Sequence, residues 1–421
     1  MLNPDTIAII KSTVPVLKVH GTAITRRFYE RLFTAHPELL NLFNHANQKQ
    51  GRQQEALANT VYAAALHIDK LEAILPVVRQ IAHKHRSLGV TADQYAVVGE
   101  NLLAAISEVL GDAATEPILQ AWGDAYGVIA NVFIEVEKDL YRQAEEAKGG
   151  WAGYREFKVQ RKVKESEQVF SFYLVPLDGG ELPAFLPGQY ISAKMAIPGH
   201  ENTHIRQYSL SDAPGKPYYR ISVKREDAIP QVKPAGTISS YLHSSVEEGD
   251  VLKLSAPAGD FTLNVEDKRP VVLLSNGIGV TPMLSMLETL AVRNQGRKVT
   301  FIHANRCSAD QAQYARVQEL LGSCLDLSVR WSYMEPEAGL DAVNSVLQSQ
   351  IKPGFINAEW LKEFVPAEGA SYYFCGSVPF MREVYNGLLA CGVPVEDLHY
   401  EFFGPATDIT GLPEQAAAPV S

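Results

Sequence analysis

The chain has 421 residues, 46% apolar and 20% charged, with 48 acidic against 38 basic side chains and a formal net charge of −10. Such globular composition excludes a disordered or collagen-like chain, and the acidic balance argues against nucleic acid as a partner. At roughly 150 residues per domain the length predicts about three domains. Four cysteines (Cys307, Cys324, Cys375 and Cys391) form no C-x-x-C pair, and residues 1–306 contain none. A disulfide scaffold and a Cys-ligated metal are therefore disfavoured, so redox chemistry here would need another ligand for its metal. No apolar run reaches about 18 residues. The N-terminus, MLNPDTIAIIKS, lacks a basic stretch followed by a long apolar one. A cytoplasmic protein with no transmembrane segment is expected.

Residues 1–147 read as an all-α domain, because apolar residues recur at spacings of three and four. One helix carries Ile24, Phe28, Leu32 and Phe33. A second carries Gln53, Leu57, Val61 and Ala64, and a third carries Val78, Ile81, His85 and Leu88 and stops near Gly89. The fourth is expected to open with a capping box, Thr91-Ala-Asp-Gln94, and the last runs from Glu116 to about Ala147. After Lys148-Gly149-Gly150 the period changes. Residues 152–265 hold short β-branched and aromatic runs, such as Tyr154–Val163, Gln168–Val175, Tyr190–Ile197, Tyr218–Arg225 and Val251–Ser255, which predict an antiparallel β-barrel or sandwich. From 268 to 405 strands and helices alternate (strands Pro270–Ser275, Val299–Ala304, Leu325–Tyr333 and Ser371–Cys375; helices from Pro282, over Ala309–Leu321 and over Pro379–Ala390). This predicts an α/β domain with a parallel sheet. The tail, Ala406–Ser421, is expected to be disordered.

Two histidines of the third helix lie about 200° apart around its axis. His83 shares a face with Arg79, Gln80 and Arg86, which reads as solvated. His85 shares a face with Val78, Ile81 and Leu88, so it is either a packed core histidine or a metal ligand. Tyr95 and Glu135 sit at or beside apolar stripes of later helices. Glu135 is either a surface acid at a stripe edge or a carboxylate with a buried partner. Taken together, Tyr29, Phe43, Gln53, Leu57, Lys84, His85, Tyr95 and Glu135 resemble the haem domain of the bacterial flavohaemoglobins.

That resemblance implies haem b, with His85 as the proximal iron ligand. It makes Tyr29 and Gln53 hydrogen-bond donors to bound oxygen, and Phe43 and Leu57 pocket walls. Tyr95 and Glu135 would form a relay with the imidazole Nδ1–H, making the ligand more electron-donating. Lys84 would face the flavin domain or solvent.

Pro187-Gly188-Gln189-Tyr190, followed by Arg206-Gln207-Tyr208-Ser209, resembles the FAD signature of the ferredoxin–NADP reductase superfamily. Arg206 would pair with pyrophosphate, Tyr208 would pack on the flavin, and Ser209 would bond near its reactive nitrogen. Gln207 belongs to the same binding motif, and Tyr190 would stack at either the adenine or the flavin end. Gly236, Thr237 and Ser239 resemble the pyrophosphate loop of that family, with an ordinary Ser/Gly turn as the other reading.

Gly277, Ile278, Gly279, Val280, Thr281 and Pro282 follow a strand and open a helix, the context that a dinucleotide phosphate site needs. The third glycine of the strict Rossmann fingerprint is absent. Asn276 stands where a small residue is expected, either bonding the cofactor or merely tolerated. Cys375 and Gly376 match the second nucleotide element, C-G-x-x-P, with a buried structural cysteine as the alternative. Glu401, Phe402, Phe403, Gly404 and Pro405 match the family terminus. There Phe403 would cover the flavin, and Glu401 would lie between flavin and haem. Arg306 would meet the 2′-phosphate of NADPH or face solvent, so the choice between NADH and NADPH stays open.

The implied function is NAD(P)H- and O₂-dependent oxidation of nitric oxide to nitrate by a monomer, with a lipid in the haem pocket left as an open alternative. An oxygen-binding or sensing globin with its reductase, or a haem peroxidase acting on hydroperoxides, is the alternative.

Overall fold

The computed structural model describes residues 2–43, 48, 51–293, 296–322, 326–335, 350–366, 369–404 and 409. Two compact units emerge. One comprises 1–155, 191–207 and 252–260; the other comprises 156–190, 208–251 and 261–421.

In the first unit the α-helices are α1 (Pro4–Ala35), α2 (Arg52–Leu66), α3 (Leu75–Leu88), α4 (Gln94–Leu110) and α5 (Glu116–Glu146). Asn3 caps α1 by accepting the Thr6 N–H at 2.7 Å, filling one orphan donor of the first turn. One face of α1 (Ile10, Leu17, Ile24, Phe28 and Leu32) is buried in a cluster with Leu102, Ile106, Trp122 and Ala125. Among the described helices, α1 alone has the length and hydropathy to cross a membrane; here its apolar face is core. Helix α3 ends on Gly89 in the left-handed region, at φ 85°, a conformation that glycine adopts without strain.

Two helical expectations change. The Gln94 side chain does accept the Thr91 N–H at 3.1 Å. The Thr91 side chain, however, does not cap the helix, which begins at Gln94 after Asp93. The face of α3 expected to be solvated is exposed at Arg79 and Gln80 but not at His83 and Arg86. Arg86 is 7% exposed and donates to the carbonyls of Ala256 and Pro257. His83 Nδ1 accepts the Gly259 N–H at 3.3 Å.

Six strands follow: β1 (Tyr154–Lys164), β2 (Val169–Pro176), β3 (Tyr190–Met195), β4 (His204–Ser209), β5 (Tyr219–Lys224) and β6 (Val251–Ser255). They form an antiparallel sheet in the order β4-β3-β6-β1-β2-β5, the layout expected for the barrel. Helix α6 (Thr237–Ser244) is inserted before β6.

A second sheet is parallel and ordered β11-β10-β7-β8-β9. Its strands are β7 (Val271–Asn276), β8 (Val299–Asn305), β9 (Leu327–Tyr333), β10 (Ser371–Cys375) and β11 (Leu398–Glu401). Helices α7 (Val280–Arg293), α8 (Tyr314–Leu321), α9 (Ala358–Phe364) and α10 (Val378–Ala390) accompany it. Residues Val271 to Leu274 have no exposed surface, as a strand covered on both faces requires. The helix expected from Ala309 starts only at Tyr314, because Gln313 takes φ 58° and breaks the path. Within the expected tail, Ile409 is 1% exposed and joins the core with Leu398 and Tyr385, so disorder is wrong at that residue. The rest of the tail, Pro405 and Cys324 lie outside the described residues.

Candidate functional site

In the helical unit, His85 stands on α3, Tyr95 on α4 and Glu137 on α5. His85 Nδ1 lies 2.7 Å from Glu137 Oε1 and 3.1 Å from the Tyr95 hydroxyl. Tyr95 in turn donates to Glu137 Oε1 at 2.6 Å. The Glu137 side chain is 4% exposed and that of His85 32%. Burial, then the Glu137 carboxylate, raises the Tyr95 phenol. With Nδ1 committed as donor, His85 Nε2 has no hydrogen-bond partner among the described residues. An imidazole locked in this tautomer presents its other nitrogen as a lone-pair ligand, the usual arrangement behind a metal-bound histidine.

Glu137 takes the place expected for Glu135. The Glu135 side chain is 73% exposed and lies 3.9 Å from Lys138. Residues two positions apart on a helix are about 200° apart, so the two acids occupy opposite faces. The signal was present: Glu137 extends the buried series Ala130 and Phe133 at intervals of three and four.

Tyr29 is 6% exposed, with the Gln53 side chain beside its hydroxyl. Burial raises its proton affinity, so it is a phenol donor rather than a phenolate. Its ring meets Phe43 edge-on with centroids 5.7 Å apart, and Phe43 and Leu57 pack against the same core. Lys84, one residue before His85, is lowered by burial.

On β4 lie Arg206, Gln207, Tyr208 and Ser209. Arg206 donates to its neighbour Ile205 O at 2.7 Å. The Gln207 amide donates to Ser192 Oγ at 3.2 Å. Ser209 is 5% exposed, and its buried Oγ has no hydrogen-bond partner among the described residues, which suits a hydroxyl meant for a bound ring. Tyr190 is buried at the start of β3. Gly236 precedes α6, with Thr237 first in it, and Ser239 Oγ donates back to Gly236 O at 3.1 Å. Ser239 also accepts the Glu226 N–H, at 3.1 Å.

The glycine-rich turn of the second unit follows the central strand β7. Residues Gly277 to Gly279 form a single 3-10 turn, and Val280, Thr281 and Pro282 open α7. A Cβ on Gly279 would stand 2.3 Å from the Cys375 carbonyl oxygen and 2.8 Å from the Gly376 nitrogen. Only glycine lets the turn and the β10 end approach so closely, at the point where strand order reverses. The Asn276 amide donates to Ala304 O at 3.3 Å and its carbonyl accepts from Ser377 Oγ at 3.0 Å. Cys375 is fully buried, and burial raises its thiol well above the ordinary range. It is a packed thiol rather than a nucleophile. Glu401 pairs in register with Cys375. Phe402 packs partly buried against the β10–β11 core, whereas Phe403 is 49% exposed and Gly404 is exposed. Arg306 is paired with Asp310 at 3.2 Å and Glu335 at 3.3 Å. Among the described residues no cluster of three His, Cys, Asp or Glu side chains could hold a metal ion.

Known proteins match both ends of the chain. A globin family model matches residues 26–133, and an oxidoreductase NAD-binding domain model matches 273–386. The flavohemoprotein of Halalkalibacterium halodurans is 52% identical over 405 residues, covering 96% of this chain and 97% of its own. That of Bacillus subtilis is 49% identical, covering 96% and 98%. A solved flavohemoglobin of Malassezia yamatoensis, with bound FAD and heme, matches at TM-score 0.81 and 28% identity over 96% of this chain and 100% of its own. The FAD/NAD-binding domain of a Vibrio cholerae nitric oxide dioxygenase matches 60% of this chain and 99% of its own, at 39% identity and TM-score 0.53.

Proposed function

Since this chain belongs to the flavohaemoproteins, in which a globin continues into a flavin- and NAD-binding reductase, we propose that it is an NAD(P)H-dependent nitric oxide dioxygenase. The carrying observation is the His85–Tyr95–Glu137 triad, whose imidazole offers a bare Nε2. The name of the Vibrio cholerae relative supports the substrate. Haem b, FAD and NAD(P)H supply the redox chemistry when bound: hydride acceptance by flavin, single electrons to iron, and oxidation of NO by O₂ to nitrate.

The residues present fit these groups. His85 Nε2 would hold the iron, and Glu137 would hold the Nδ1 proton. A partly anionic imidazole pushes electron density toward its metal. Tyr29 and Gln53 would place two neutral donors in the pocket opposite His85, where they favour a ligand carrying partial negative charge. Phe43 and Leu57 would exclude water. On the reductase side, Arg206 would face the flavin pyrophosphate, and Tyr190 and Tyr208 would face its rings. The buried Ser209 hydroxyl would donate to the isoalloxazine. Gly236, Thr237 and Ser239 would cradle phosphate, and the start of α7 would receive the dinucleotide phosphates. Phe403 would cover the flavin.

With this reading go three domains (1–147, 152–265 and 268–405) and a monomeric cytoplasmic enzyme. The purified protein should show haem and flavin absorption together. Under air, NADH oxidation should accelerate when NO is added, and nitrate should accumulate. No acceleration and no nitrate would overturn the proposal in favour of an oxygen-binding globin or a hydroperoxide reductase.

A further inference from the structure

Helix α3 does more than carry the haem ligand. Its flank is tied to strand segments of its own compact unit. The Tyr154 hydroxyl lies 3.1 Å from Ser87 O, and Arg86 holds the turn at Ala256 and Pro257.

One tie differs from the others in being a buried chain with a single direction. The Gln207 amide donates to Ser192 Oγ at 3.2 Å. Ser192 Oγ donates to Ser87 Oγ at 2.9 Å. Ser87 Oγ donates to Lys84 O at 2.8 Å, one residue before His85. Ser87 and Ser192 have no exposed surface. The Ser192 N–H is itself fixed, donating to Ser255 Oγ at 2.9 Å. Each hydroxyl accepts from behind and donates ahead, so every link polarises the next. Cutting one leaves a buried hydroxyl short of a partner. One end lies inside the R-Q-Y-S motif of β4, and the other adjoins His85.

We propose that Ser87, Ser192 and Gln207 are positioning residues: their chain fixes the flavin-motif strand against the helix of the haem ligand and thereby sets the rate of electron passage between the two cofactors. The inference rests on the flavohaemoprotein reading above. The step concerned moves one electron from reduced flavin to ferric haem, and two such steps reoxidise a flavin reduced by one NADH. Hydride transfer into the flavin does not involve the chain.

The test uses the full-length holoenzyme without oxygen, mixed with NADH in a stopped-flow instrument that follows flavin and haem separately. In Ser192→Ala, flavin reduction should stay within about twofold of wild type while haem reduction slows by about fivefold or more. Ser87→Ala should do the same, and the double variant should be no slower than either single one, because the links act as a unit. Hydrogen exchange of the amides in residues 82–89 should also quicken in both single variants, with or without cofactors bound. Unchanged haem reduction, or flavin reduction falling in step with haem reduction, would overturn the proposal. If Ser192→Ala does not fold, Ser87→Ala decides. A wild-type protein that binds both cofactors but never reduces its haem would overturn the functional reading itself. The exchange measurement on the cofactor-free chain then still reports whether the tie exists.

Discussion

Glu137 serves two donors with one carboxylate oxygen, the His85 Nδ1–H and the Tyr95 hydroxyl. Removing it leaves two half-buried donors with only each other, so Glu137→Ala should cost about 1–3 kcal/mol of unfolding free energy. The exposed Glu135→Ala should leave the urea midpoint where it was, so the pair separates relay from surface charge. His303 tests burial in another way. It is fully buried, bonded to Ser275 Oγ at 2.8 Å and pushed down to about 3 from the ordinary imidazole value by desolvation. A histidine held neutral in the fold but free to protonate when unfolded makes the unfolded state bind more protons as pH drops. Its stabilising share is complete above the unfolded value near 6.5 and is lost as pH falls toward 3. Urea midpoints measured from pH 7 to 5 should therefore fall, with a slope of up to about 1.4 kcal/mol per unit from this group. His303→Gln should flatten that slope. At this scale the sequence was readable where a residue type is rare on its stripe, as with His85. It misled where two like residues compete: Glu135 and Glu137 differ in helical phase, and the acid that continues Ala130 and Phe133 is the buried one.

At the scale of elements, the turn after β7 is set by what it must touch. Gly279→Ala would drive a methyl into the Cys375 carbonyl, which backbone can relieve only by shifting. We expect about 1–3 kcal/mol of destabilisation and a clear loss of NADH affinity by fluorescence titration, with the haem spectrum unchanged. Strand and helix identities were legible because period and β-branched content agree with the final packing. Ser371–Cys375 reads as a strand and is one. Boundaries set by a single dihedral were not legible. Gln313 carries no sequence mark of the φ 58° that delays α8. Nor does the Thr91 pattern reveal that only half of a capping box forms.

For the whole molecule, the texture of the sequence changes at Lys148-Gly149-Gly150, but compactness does not follow it. Residues 191–207 and 252–260 cluster with the helices, through Arg86, His83 and the serine chain. Composition could not reveal this, because Arg86 and Ser87 of α3 look like ordinary surface residues until their partners arrive from far along the chain. A fragment of residues 1–150 should consequently lose its stability at lower urea than the same helices in the full chain. Its α3 amides should exchange faster. Equal midpoints would show that these contacts contribute nothing.

The Arg86 anchorage bears on recombination. A chimaera that joins this globin to a foreign reductase at the glycine-rich linker would leave the Arg86 guanidinium and the Ser87 hydroxyl facing a surface of the wrong shape. A workable crossover has to transplant the 191–207 and 252–260 loops and strands as well. Exchange of parts between such proteins is thus constrained by three separated stretches of chain rather than by one seam.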